Sequence, residues 1–142
     1  MRSDQHWIDL LMKMAQDAPR DDRSHRSRHA SAVVYRGQVA GFGFNSMKTS
    51  PFQARFRKNP HAIHIHSEVD AIRNALRRLS EKELSKATLY VVRAKQVSSI
   101  DNRIVQGLSQ PCEGCERAIA TFNIKRVVYT LDTTGISCDI VN

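Results

Sequence analysis

His66 and Glu68 stand two positions apart in the stretch HIHSEVDAI (64–72), and Cys112 and Cys115 stand three apart in QPCEGCERAIA (110–120). One imidazole and two thiolates are ligand types that zinc prefers, and three protein ligands leave its fourth position open for water. Zinc lowers the pKa of such a water towards ~7, and a nearby carboxylate can then move its proton. Glu68, two positions beyond the histidine, can reach that water without binding the metal. The combination suits hydrolytic attack on an aromatic carbon that bears an amino group.

Both pairs fall where the pattern predicts a helix start. Spaced three apart at a helix N-terminus, the two sulfurs can point the same way, and the free N–H groups there favour thiolate. The remaining elements follow from hydrophobic spacing. Ser3 caps a first helix with Trp7, Ile8, Leu11, Met14, Ala15 and Ala18 on one face, ended by Pro19. ASAVVYRGQVAGFGFN (30–45) predicts two strands around Arg36-Gly37. Residues 46–65 form a long polar loop broken by Pro51 and Pro60, of the kind that is usually functional. A second helix over 67–79 presents Val69, Ile72, Ala75, Leu76 and Leu79 on one side. ATLYVVR (87–93) is a strand buried on both faces, 94–110 a loop, and Cys112 opens a third helix that buries Cys115, Ile119 and Phe122. KRVVYTL (125–131) is a further strand.

The order α-β-β-α-β-α-β predicts an α/β fold, a mixed sheet with helices on its faces. Two βα units of one parallel sheet would place both helix starts on the same rim and bring His66 to the cysteines.

The chain has 142 residues, 41% hydrophobic and 25% charged, and is expected to form a single domain over 1–142. No apolar run approaches the ~20 residues of a membrane helix, and MRSDQHWIDLLMKMAQDAPR has no small-residue cleavage site. A cytoplasmic location and no membrane partner are therefore expected. The net charge of +8 favours an anionic partner, a free nucleotide or a nucleic acid. Much of it lies in PRDDRSHRSRH (19–29) and FQARFRK (52–58), which fit solvated loops as well as anion contacts. Three cysteines are an odd number and suggest no disulfide framework; Cys138, in GISCDIV, reads as a small buried hydrophobe.

From Ala30 to Leu131 the chain resembles the cytidine deaminase-like superfamily. HSEVDAI is similar to that family's H-[AC]-E helix start, with Ser67 in place of Ala, and PCEGCERAI followed by NIKRVVYT is similar to its deoxycytidylate (dCMP) deaminases. H-x-E with P-C-x-x-C is the signature of zinc nucleobase deaminases. Glu116-Arg117 stands where the tRNA adenosine deaminases typically carry Ala-Gly, and Gly-Phe-Asn-Ser replaces the Gly-Tyr-Asn-Gly of the allosterically regulated dCMP deaminases.

The resemblance implies a three-layer α-β-α fold with a central mixed sheet of four or five strands. It implies zinc held by His66, Cys112 and Cys115, with Glu68 as the proton shuttle in converting dCMP to dUMP and ammonia. Asn45, in GFGFNSMKTSP, would bind the substrate sugar, and backbone near Ser67 and Cys112 would orient the base. Lys48, Arg26 and Arg28 are candidates for a phosphate by their nearness to the hairpin, and a homo-oligomer is expected. Two alternatives stand beside this: deamination of a cytosine or adenine base within RNA or single-stranded DNA, and a non-catalytic zinc-stabilised nucleic-acid-binding module. In the second, His61 or His64 would close the zinc as a fourth ligand.

Overall fold

A computed structural model of the chain describes residues 2–17, 27–46, 51–56, 66–98 and 100–141. Helix α1 (Asp4–Asp17) starts at Ser3, whose Oγ accepts the His6 N–H at 3.2 Å. Strands β1 (Ser27–Tyr35) and β2 (Gln38–Phe44) form the expected hairpin. Its turn places Arg36 at φ 51° and Gly37 at φ 75°, the two positive angles that let a two-residue loop follow the strand twist. The chain continues through α2 (Pro51–Ala54), α3 (Ser67–Ala75), α4 (Glu81–Leu84), β3 (Thr88–Gln96), β4 (Ile104–Gly107), α5 (Glu113–Thr121), β5 (Arg126–Thr130) and β6 (Ile136–Ile140).

The sheet runs β2-β1-β3-β5-β6, with β4 paired to β3. Pairing is antiparallel except between β3 and β5. The sheet is mixed, as expected, but has six strands rather than four or five. Long β3 accounts for one addition: residues 88–91 pair with β5 and residues 93–96 with β4, inside what the sequence suggests is a loop. The other is β6, built from ISCDI. There Cys138 is exposed rather than buried, because β6 is an edge strand whose residues 138–140 face solvent.

Side chains alternate between two cores, as a sheet covered on both faces requires. Ala30, Ala32, Val34, Tyr90, Val92 and Val128 meet Trp7, Ile8, Leu11 and Ala15 of α1. Val33, Leu89, Val91, Val127 and Tyr129 meet α3 and α5 on the opposite face. The layers are therefore α-β-α. Asp4 fastens the start of α1 to the sheet: Arg126 donates to both its carboxylate oxygens and the Tyr90 hydroxyl to Oδ1.

One contact sets the position of α3. A Cβ on Gly43 would run into the Ser67 carbonyl and the Ala71 backbone, and one on Gly41 into Ala71 and Ala75. The two glycines lie on the same face of β2, so helix backbone rests directly on strand backbone. The open edge of β2 is then closed by α3 side chains. The Phe44 N–H donates to Asp70 Oδ2 at 3.1 Å, and Asn74 Nδ2 donates to the Phe42 carbonyl at 2.7 Å. Among the described residues no helix is long and apolar enough to cross a membrane.

Candidate metal centre

Strand β2 is antiparallel to β1, and β1 to β3, so β2 and β3 run the same way with β1 between them. Helix α3 has its first turn against Gly43 near the end of β2, and the lead-in to α5 bonds to Val91 of β3 and Thr130 at the end of β5. His66 is the N-cap of α3 and Cys112 the N-cap of α5, both in extended backbone conformation. Neither side chain makes a cap hydrogen bond, which leaves both available for other chemistry. Cys115 lies one turn into α5, fully buried.

His66 Nδ1 stands 3.4 Å from Cys112 Sγ and 3.3 Å from Cys115 Sγ, and the three donor atoms lie within 4.8 Å of one another. Zinc bonded to sulfur and nitrogen at tetrahedral angles would hold such pairs ~3.6 Å apart, so the donor set already has nearly the size the ion needs. The protons are arranged to match. The Cys112 thiol is pushed down to about 3, first by the hydrogen bond from Cys115 and further by His66. Cys115, as the donor in that bond and buried, is pushed up, and the hydrogen bond to Cys112 raises His66. The three donors thus share protons at one point, and a divalent cation bound there would take the place of those protons. Zinc fits this site.

Beside the ligands a cleft of about 220 Å³ is lined by His29, Asn45, Ser67, Glu68, Ser109 and Gln110. Glu68 is 6% exposed and accepts from Ser67 Oγ at 2.9 Å. Asn45 Oδ1 accepts the His29 N–H at 2.8 Å, which leaves the amide Nδ2 of Asn45 as the group for other partners. Burial holds the His29 imidazole below its ordinary pKa despite the Glu68 charge. A larger groove of about 550 Å³ between α5 and β6 contains none of the metal-ligand or cleft residues.

The loop into α5 is clasped from beneath. Ser109 Oγ donates to the Val91 carbonyl at 2.8 Å and lies 2.8 Å from Thr130 Oγ1, while the Thr130 N–H donates back to Ser109 Oγ at 2.9 Å. Both residues are buried, so the clasp ties the approach to Cys112 to β3 and β5. On the other side, fully buried Gln53 accepts the His66 N–H at 3.0 Å.

The structure therefore brings together His66, Glu68, Cys112, Cys115, Asn45 and Ser67, though the Ser67 hydroxyl turns inward rather than to the cleft's contents. Arg28 does not join them. It lies on the α1 face of β1, one residue from His29 on the site face, and closes the end of α1 by donating to the Gln16 carbonyl at 2.6 Å and the Ala15 carbonyl at 3.3 Å. Arg26, Lys48, His61 and His64 lie outside the described residues. His29, Gln53 and Ser109 were not singled out by spacing. His29 fell in an arginine-rich run that suggests a loop, where the alternation begun at Ala30 could have been extended backwards.

A family model described as the cytidine and deoxycytidylate deaminase zinc-binding region matches residues 1–131. No curated protein matches this chain significantly in sequence. Among solved structures, a cytidine deaminase from Burkholderia pseudomallei superposes with a TM-score of 0.63 at 17% identity, over 95% of this chain and 91% of that one. The apo dCMP deaminase of cyanophage S-TIM5 superposes with a TM-score of 0.54 at 20% identity, over 94% of this chain and 87% of that one. The same phage enzyme in complex with dCMP and dUMP gives 0.56 at 17% identity, over 92% and 84%. These likenesses establish the shared fold.

Proposed function

Because this chain belongs to the family of zinc-binding cytidine and deoxycytidylate deaminases, we propose that it removes the amine of a free cytosine nucleotide, dCMP foremost, to give dUMP and ammonia. Zinc-dependent deamination of cytosine compounds follows from the family; the monophosphate is the finer reading. One observation carries it: buried Glu68 lies in the same 220 Å³ cleft as the two N-cap ligands. The proposal takes residues 1–142 to act as one deaminase domain.

Zinc, when bound, supplies a water acidified towards pKa ~7 as the nucleophile. The residues do the rest. His66, Cys112 and Cys115 would hold the ion. Glu68 takes a proton from the water as its oxygen bonds to C4, and passes it to N3 of the ring. A second proton goes by way of Glu68 to the exocyclic nitrogen, the C4–N bond breaks, and ammonia leaves a uracil ring. Asn45 Nδ2 is the group left to donate to the sugar, since its Oδ1 is taken by His29. His29 and Gln110 form walls of the cleft.

The phage dCMP deaminase of the same fold carries dCMP and dUMP, which supports the monophosphate. The charge of +8 favours a second reading, deamination of a base within RNA or single-stranded DNA. Ammonia release from cytidine, deoxycytidine, their monophosphates, adenosine and single-stranded oligonucleotides separates them. Turnover of dCMP above its nucleoside supports the proposal, and turnover of oligonucleotides alone overturns it.

A further inference from the structure

The hydroxyls of Ser31 and Ser67 lie 2.8 Å apart, and both residues are fully buried. Ser67 Oγ donates to Glu68 Oε1 at 2.9 Å. A serine hydroxyl has one proton to give, and Ser67 gives it to the carboxylate. Ser31 must then be the donor to Ser67. The three side chains form a directed chain that starts in the sheet and ends on the acid of the cleft.

Their meeting depends on the close contact of β2 with α3. Ser31 pairs across the strands with Gly43, the residue whose missing Cβ admits the Ser67 backbone. A larger residue opposite Ser31 would lift the first turn of α3 and separate the two hydroxyls. Hydroxyls buried this completely cost free energy unless they are bonded, so an apolar pair would have served packing alone. A glutamate in the first turn of a helix has three rotatable bonds, and Oε1 here is tied to the cleft wall.

We propose that Ser31 and Ser67 are positioning residues that set the orientation of the Glu68 carboxylate. Oε1 is held against the wall, and proton exchange with water and substrate falls to Oε2, presented in one direction. The inference rests on the proposed role of Glu68 as the proton carrier, but it concerns an orientation that can be observed without turnover.

The test uses Ser31→Ala, Ser67→Ala and the double variant, all zinc-loaded. In crystals, Glu68 keeps one orientation in the parent protein and leaves it in each variant. On whichever cytosine compound the parent turns over, kcat falls roughly tenfold with KM and zinc content unchanged, as misplacement of a reacting group predicts. The double variant is no slower than the slower single one, because both changes break the same chain. Glu68 unmoved in Ser67→Ala overturns the inference. So does a lowered melting temperature with kcat intact, which would make the pair structural, or losses that multiply in the double variant. If the parent deaminates no cytosine compound, the proposed function fails, and the orientation of Glu68 in the crystals still decides this inference.

Discussion

Gln53 reaches out of α2 to accept the backbone N–H of His66 at 3.0 Å. Its short helix is anchored by aromatic contacts, with Phe52 stacked on Phe122 and Phe56 edge-on to it, each at 6.1 Å between ring centroids. Phe122 is the C-cap of α5, whose other end supplies Cys112 and Cys115. One helix therefore carries two ligands and, through its far end, braces the backbone of the third.

Removing that brace should loosen the metal. Gln53→Met keeps the volume but leaves the His66 N–H without its acceptor. Partners behind a metal ligand typically contribute 10–100-fold in affinity, and a loss on that scale is expected here. Competition with a chromophoric chelator reads it, and unchanged zinc affinity would remove Gln53 from the centre.

Glu68→Ala separates chemistry from metal binding. The carboxylate is not one of the three clustered donors, so zinc content should be retained. Loss of a general acid–base group typically costs 10²–10⁴-fold in rate, and kcat should fall within that range. Near-normal ammonia release from this variant would sink the assignment of Glu68.

Gly43→Ala tests the close contact between β2 and α3. The added methyl has only backbone to meet, at Ser67 and Ala71, so no side chain can turn away. Overpacking of this kind costs about 1–3 kcal/mol, and more is expected where the neighbour is backbone. Melting temperature and zinc content should fall together, because His66 and Glu68 ride on the displaced turn. An alanine variant with parental stability and zinc content would show that α3 is not seated by this contact.

The Asp4 clamp gives a pH signature. The hydrogen bonds from Arg126 hold the Asp4 carboxyl below its ordinary value of 3.8, against the opposing effect of burial. An acid whose pKa is lower in the fold stabilises it fully above the unfolded pKa and loses that contribution as pH falls through the folded one. Asp4→Asn should therefore lower the melting temperature at pH 7, with the gap to the parent protein closing below about pH 4. A gap independent of pH down to pH 2 would assign the effect to packing of α1.

The grouping of the candidate site residues was legible because its parts are local. His66 with Glu68, and Cys112 with Cys115, each occupy a single helix start, and a helix start is announced by spacing. What surrounds them is set by register and tertiary contact. His29 faces the cleft only because β1 begins at Ser27, and the same alternation turns Arg28 towards α1. Gln53 and Ser31 are ordinary polar residues until the fold places them against His66 and Ser67. Strand β4 spans Ile104–Gly107, too short for a period to show, and owes its existence to the unpaired half of β3.

The spacing of the ligands also bears on the unfolded chain. His66 and Cys112 are separated by 46 positions, so a shared ion closes a long loop. In chain-entropy terms, a cross-link around a loop of that length removes about 4 kcal/mol of disorder from the denatured ensemble if it is as tight as a covalent one. Metal supply and thermal endurance are then linked. In a zinc-poor setting the chain would lose a staple between its two βα units as well as its reactive centre.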